Sequence, residues 1–164
     1  MAAGSTYTPI ATTTTSGNAT SVTFSSIPAT YTDLIILFNG SVSGTSGDLA
    51  QFNGDTGSNY SSTFLRGDGS AATSGRVTSS TFINPGLTFG TSQSTYIMHI
   101  MNYANTTTYK NALYLSSSVA SSSYVGAAVG LWRSTAAINA VNFSTSGTNY
   151  VNGSTFTLYG IAAA

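Results

Sequence analysis

Few side chains in this sequence could carry out acid–base chemistry. The 164 residues include four carboxylates, Asp33, Asp48, Asp55 and Asp68, and no glutamate. Hydrolysis of a glycosidic bond needs two carboxylates that flank the bond. Three of the four aspartates, however, stand in stretches rich in Gly and Ser, where an Asp side chain commonly accepts hydrogen bonds from its own backbone. We therefore interpret Asp48, Asp55 and Asp68 as turn formers.

The single histidine, His99, offers little more. A Ser/His/Asp site would place it beside an exposed serine and a buried aspartate, but its sequence neighbours are Met98 and Ile100, which is typical of a core or interface histidine. A zinc site needs several His, Cys or carboxylate ligands, and the chain has no cysteine. The turn at 53–55 lacks the alternating acidic spacing of a calcium loop. The sequence predicts no catalytic residue, no metal site and no cofactor.

Aromatic side chains could support a different activity, which is stacking against sugar rings. Trp132 stands next to Arg133, and the chain contains ten tyrosines. Aromatic rings fill cores and interfaces as readily as they bind sugars. Tyrosines such as Tyr96 and Tyr114 lie within strand-like stretches, so we favour a role in the core or in a subunit interface. A glycan platform remains the alternative.

Composition narrows the class of protein further. Only 5% of the residues are charged and the net charge is zero, whereas 41% are hydrophobic. A protein without a basic patch has no means of neutralising phosphates, so nucleic-acid binding is not expected. No apolar run is long enough to span a bilayer as a helix, and the first residues do not form a signal peptide. A neutral surface with little self-repulsion favours association with other protein chains.

The elements that would position these side chains are β-strands. We expect an extended arm over residues 1–19 and a single domain over 20–164. Alternation and turn signals predict strands at 20–27, 31–39, 49–53, 61–66, 76–83, 95–104, 109–116, 123–132, 138–143 and 155–161. The stretch 34–38 is apolar at every position, which predicts a central strand covered on both sides, and the stretch 96–103 is also apolar on both faces. Closely spaced strands without a helical pattern indicate an all-β fold, an antiparallel β-sandwich that is jelly-roll-like with about eight to ten strands.

The strand over 123–132 suggests a contact surface. Its alternate residues Gly126, Ala128 and Gly130 have little or no side chain, and the same face ends in Trp132. Such a face lets another sheet or chain approach closely. The arm contributes further apolar groups. The candidate protein-interface residues are therefore Tyr7, Pro9, Ile10, Gly126, Ala128, Gly130 and Trp132.

Several sequence strings resemble a known class of proteins. The strings are YTPIA at 7–11, VTFSSIP at 22–28, YTDL at 31–34 and FTLYGI at 156–161. They are similar to those of small β-sandwich structural proteins in the virions of tailed bacteriophages, which serve as head decoration (cement) proteins or as fibre domains. The resemblance implies a non-enzymatic, oligomeric component of the virion surface, often a homotrimer, and it carries over no active site.

Within that class, the expected organisation favours one member. A fibre would be expected to carry an anchoring segment or a shaft, whereas a decoration protein needs a compact domain and a short arm. We therefore expect a capsid decoration protein that binds the major capsid protein and stabilises the assembled head. The alternative is a tail or head fibre module that binds a host receptor or glycan.

Overall fold

The computed structural model describes residues 6–119 and 124–162, and the regular structure in these ranges is β-strand. The twelve strands of these ranges are β1 (Tyr7–Thr14), β2 (Ser21–Phe24), β3 (Asp33–Gly40), β4 (Ser46–Phe52), β5 (Tyr60–Gly67), β6 (Ala72–Ser80), β7 (Thr88–Phe89), β8 (Ser94–Met101), β9 (Lys110–Ser118), β10 (Tyr124–Trp132), β11 (Val141–Thr145) and β12 (Thr155–Ile161). Ten of them correspond to the predicted strands, and β1 and β7 are additional. None of the described residues forms a helix that is long and apolar enough to cross a membrane.

The strands form two antiparallel sheets of unequal width that pack face to face, so the predicted all-β antiparallel sandwich is confirmed. The large sheet has the order β1-β12-β3-β8-β9-β10-β5-β6, and the small sheet has the order β2-β11-β4-β7. Four strands cannot cover eight. Because the described residues form only these two layers, the outward face of the large sheet has no second sheet over it.

Aromatic rings fill the space between the two sheets. Phe38 from β3 lies at the centre of this cluster, with ring centroids 5.1 Å from Phe89, 5.2 Å from Tyr96 and 4.8 Å from Phe156. Phe143 from the small sheet stacks on Phe156 at 5.6 Å. Aromatic pairs at these distances add attraction beyond the area they bury. These contacts fix the inward direction of alternate residues on β3, β8, β11 and β12.

Residues 7–14 lie in the large sheet. This segment, part of the expected arm, is extended as β1 and pairs with β12 at its edge, with a register shift between Pro9 and Ala11. Ile10 packs against the core, and the buried Thr15 hydroxyl donates to the carbonyl oxygen of Val151 at 2.7 Å. Proline and a bulge discourage further strands from pairing at an edge. The domain of the described chain therefore starts before residue 20.

The sequence predicts that β3 is covered on both sides. In the structure a second sheet covers its inward face, and no second sheet of the described residues covers its outward face. Leu34, Ile36 and Phe38 are fully buried between the sheets. Ile35 and Leu37 point to the other side, where neighbouring side chains of the same sheet shield them. On β8 the inward residues are likewise buried, but Ile97 is 42% exposed on the outward side. The apolar residues on both faces thus mark a strand with one core face and one solvent-facing apolar face.

Candidate functional site

Most of the exposed large hydrophobic side chains among the described residues lie on the uncovered side of the large sheet, which we call the outer face. It comprises the outward residues of six adjacent strands, from β12 to β5. Its apolar members include Tyr159, Ile35, Leu37, Ile97, Leu113, Leu115, Val125, Ala127, Val129 and Leu65. The most exposed are Val125 at 66%, Leu65 at 62% and Leu115 at 60%. Side chains of this kind at such exposure form a surface suited to contact with protein.

Strand register brings these residues together in rows across the sheet. In one row Leu37 lies opposite Ile97, Ile97 opposite Leu115, Leu115 opposite Ala127 and Ala127 opposite Leu65. Directly opposite side chains in an antiparallel sheet lie within about 5.5 Å of each other. The row is therefore a continuous apolar stripe across five strands, although its members are far apart in the sequence.

A second row runs beside the first and has one polar position. It consists of Ile35, His99, Leu113 and Val129, each opposite the next. His99 Nε2 lies 2.8 Å from Asp33 Oδ2. The other Asp33 oxygen accepts a hydrogen bond from the backbone N–H of Asn102 at 2.7 Å.

The His99–Asp33 pair therefore ties β8 to β3 and supports the turn that follows β8. Asn102 adopts a left-handed conformation in that turn, with φ of 51°. The structure thus places the single histidine on the outer face, flanked by apolar residues. Its acidic partner, Asp33, has a structural contact of its own with the Asn102 N–H.

The small side chain of Ala127 creates a depression in the outer face. It belongs to an apolar groove of about 640 Å³ whose lining extends from Ile35 and Ile97 across Leu115 to Leu65. A second apolar depression of about 420 Å³ lies towards the β1 edge, between Tyr7, Tyr159, Ile35, Leu37 and Ile97. Grooves flanked by protruding side chains can accept the side chains of a facing surface.

The predicted interface residues on β10 lie on the opposite, inward face. Ala128 is 7% exposed and Trp132 is 2% exposed. A Cβ atom added at Gly126 would lie 2.1 Å from Leu87 Cδ2, and one at Gly130 would lie 2.5 Å from Ile83 Cγ2. The close approach that small residues permit is therefore made by the chain's own segment 83–87. The four residues cannot contact a second chain without opening the sandwich.

The predicted interface residues of β1 have mixed positions. Tyr7 is 54% exposed and Pro9 is exposed, whereas Ile10 is half-buried against the core. Tyr7 packs edge-to-face on Tyr159, with centroids 6.3 Å apart. Tyr7 and Pro9 therefore extend the outer face at its β1 edge, and Ile10 does not.

Two aspartates form turns, as the sequence predicts. Asp55 Oδ1 accepts from the Gly57 N–H at 2.8 Å, and its Oδ2 accepts from Trp132 Nε1 at 2.6 Å. The indole hydrogen bond is the main reason that the pKa of Asp55 is lowered. Asp68 accepts from the N–H groups of Ser70 and Ala71, and these bonds lower its pKa to about 2. Trp132 is therefore buried in the core and offers no surface on which a sugar ring could stack.

The turn interpretation is wrong for Asp48. This residue lies in β4, is 1% exposed and points between the sheets. Tyr150 Oη donates to Asp48 Oδ1 at 2.5 Å, whereas Asp48 Oδ2 has no hydrogen-bond partner among the described residues. Burial raises the pKa of Asp48 to about 7, and the bond from Tyr150 opposes this rise only in part. Ser46, Asp48, Ala50 and Phe52 are all buried on one face of β4. Their positions at every second residue are the sequence signal that could have placed Asp48 in a strand.

Polar groups that could carry chemistry are dispersed in the described part of the chain. No group of three His, Cys, Asp or Glu residues that could hold a metal ion occurs there. Lys110 is 1% exposed, and its Nζ donates to the carbonyl oxygens of Thr108 and Thr135 at 2.8 and 3.1 Å. The outer face is therefore the feature of the described residues that is best suited to binding.

Comparisons with known proteins add no relative. No protein-family model matches this sequence, and no curated protein matches it.

Proposed function

We propose that this chain is a non-enzymatic structural protein of a tailed-phage virion and acts by binding other protein chains through its outer face. The exposed apolar surface of the large sheet carries this proposal. Monomeric soluble proteins rarely expose contiguous apolar patches larger than a few hundred Å². Two adjacent rows across the sheet, apolar at every position except His99, form a contiguous apolar patch that would be costly to leave in water.

Within this class we propose a capsid decoration protein. It associates with itself, as a trimer if it follows the proteins that it resembles, and with the major capsid protein on the outer surface of the head. A protein that binds only the assembled shell stabilises that shell by mass action. The near absence of charge, 5% of residues with a net charge of zero, supports a surface meant to be covered by neutral protein.

A fibre module that binds a glycan is the second candidate, and one feature favours it. A polar depression of about 380 Å³ lies at one end of the sandwich and is lined by Asn39, Gln93, Asn152 and Thr155, among others. Amide and hydroxyl groups are suited to hydrogen bonding with sugar hydroxyls. The depression has no aromatic ring in its lining, so it would bind a sugar without the stacking contact.

Heads depleted of this protein test the proposed function. When the wild-type chain is added back, it is expected to bind to the head surface. Its binding should raise the temperature at which heads release DNA, because the chain binds only the intact shell. The variant Leu115→Lys places a charge in the outer face and should bind much more weakly. Ser21→Lys adds the same charge to an exposed position of the small sheet and should bind as wild type.

The alternatives predict different results in the same experiment. Binding only at tail tips or fibres, together with glycan binding that is lost on Gln93→Ala, would favour the fibre module. Equal binding to heads by wild type and Leu115→Lys would contradict the role of the outer face.

A further inference from the structure

We infer that the core contains a buried water-binding site between the two sheets, in which an ordered water molecule bridges Asp48 Oδ2 to the hydroxyl oxygens of Tyr96 and Tyr114. Water is the ligand, and the three oxygens that would hold it have no hydrogen-bond partner among the described residues. The inference concerns the inside of the sandwich and does not depend on the function proposed for the outer face.

Unpartnered oxygens are concentrated at one place in the core. Five buried side-chain oxygens of the described residues have no hydrogen-bond partner, and three of these are Asp48 Oδ2, Tyr96 Oη and Tyr114 Oη. The three residues are 1%, 1% and 2% exposed, so bulk solvent does not reach them. Buried polar groups in folded proteins nearly always have a partner, and an ordered water molecule commonly supplies it.

The three groups lie near one another between the sheets. Asp48 points inward from β4 of the small sheet, and Tyr96 and Tyr114 belong to the core on β8 and β9 of the large sheet. The two tyrosine rings have centroids 6.4 Å apart. Burial is the main reason that the pKa of each tyrosine is raised, and the charge of Asp48 is the next. A charge has this effect on groups close to it, so the carboxylate lies near both hydroxyls.

Protein groups alone do not satisfy these oxygens. Tyr150 Oη donates to the other carboxylate oxygen, Asp48 Oδ1, at 2.5 Å, and no hydrogen bond joins Asp48 Oδ2 to Tyr96 or Tyr114. A water molecule between them can bond to Oδ2 and to both hydroxyls, and three bonds are typical of a buried water. It can serve both protonation states of Asp48, because water donates to a carboxylate and accepts from a carboxylic acid.

Packing of the Tyr96 ring favours a bridge over a direct bond. The ring stacks on Phe38 with centroids 5.2 Å apart and on Phe89 with centroids 5.7 Å apart, and all three residues are buried. Close-packed neighbours restrict the movement of a side chain, so the hydroxyl keeps its position relative to Asp48. A water molecule is free to take the position that completes the contact.

A crystal structure of the full chain at high resolution tests the inference. We expect a water peak within about 3.0 Å of Asp48 Oδ2 and of both tyrosine hydroxyls. The absence of this peak would overturn the inference, whether Oδ2 then bonds directly to Tyr96 or has no partner. A metal ion at the same place, recognised by oxygen contacts of about 2.0–2.6 Å, would also overturn it.

Magnetic relaxation dispersion of water oxygen-17 tests the site in solution, because its amplitude reports long-lived internal water. The double variant Tyr96→Phe/Tyr114→Phe keeps both rings and leaves the water one partner, fewer than the two to four that a buried water uses. Its amplitude should fall below that of wild type. The matched control is Tyr7→Phe/Tyr109→Phe, which removes two hydroxyls from residues that are 54% and 56% exposed and should leave the amplitude unchanged. Equal amplitudes in wild type and Tyr96→Phe/Tyr114→Phe would contradict the site.

Discussion

Replacing Asp48 by Asn should stabilise the protein above pH 7 and remove most of its pH dependence between pH 4 and 7. In the folded chain burial raises the pKa of Asp48 from 3.8 to about 7, whereas in the unfolded chain it keeps its ordinary value. Between these two pH values the folded state holds a proton that the unfolded state has released. Stability is therefore complete below about pH 4 and falls as the pH rises to 7, by about 1.4 kcal/mol per unit and about 4 kcal/mol in all.

The surroundings of Asp48 explain why the asparagine side chain should be tolerated. Tyr150 donates to Oδ1, which an amide oxygen can accept equally well. The partnerless Oδ2 becomes an N–H donor, and the neighbouring Tyr96 hydroxyl also lacks a partner. An amide carries no charge, so the free-energy cost of burying the ionised carboxylate above pH 7 is absent in the variant.

Urea denaturation at pH 4, 6 and 8 measures this difference. Wild type and Asp48→Asn should have similar free energies of unfolding at pH 4 and should separate by up to about 4 kcal/mol at pH 8. Asp68→Asn is the matched control. Hydrogen bonds in an exposed turn lower the pKa of Asp68 to about 2. The Asp68 carboxylate therefore stabilises the fold above pH 4, and this stabilisation is lost only as the pH falls. Parallel pH profiles for wild type and Asp48→Asn would refute the buried-acid account.

Gly130→Val should destabilise the fold by about 3 kcal/mol or more. A Cβ at this position would lie 2.5 Å from Ile83 Cγ2 and 2.9 Å from Ile83 Cδ1, and Ile83 is fully buried. Overpacking of a filled core commonly costs 1–3 kcal/mol, and valine adds two methyl groups beyond Cβ. The gain from replacing a flexible glycine in a strand, about 1 kcal/mol at most, does not offset this cost.

Ala127→Val is the control on the same strand. It adds the same type of side chain to the outward groove and should change the unfolding free energy of the isolated chain by less than about 1 kcal/mol. Both variants are compared by urea denaturation monitored through Trp132 fluorescence. If Gly130→Val were as stable as wild type, the inward packing of the small-residue face of β10 would be wrong.

The alternating pattern of β10 could be read from its sequence, but the direction of each face could not. Gly126, Ala128 and Gly130 share one face in both the prediction and the structure. Their inward direction depends on Ile83 and Leu87, which lie about forty residues earlier in the chain. Local periodicity reports which residues share a face, whereas the layer that covers the face is a long-range property.

Asp48 and β1 illustrate the same limit in different ways. Gly47 next to Asp48 is typical of a turn, yet pairing of β4 with β11 draws this segment into the small sheet. Residues 7–14 have only weak alternation, and their strand depends on hydrogen bonds with β12, which lies near the other end of the sequence. The outer face likewise required the strand order, because its two rows join residues from five separate segments.

A reconstruction of the virion by cryo-electron microscopy tests the central claim most directly. The density for this chain is expected on the head surface, with Leu65, Leu115 and Val129 of the outer face in contact with another protein chain. Virions in which this chain occupies the head while that face of the large sheet points into solvent would contradict the claim.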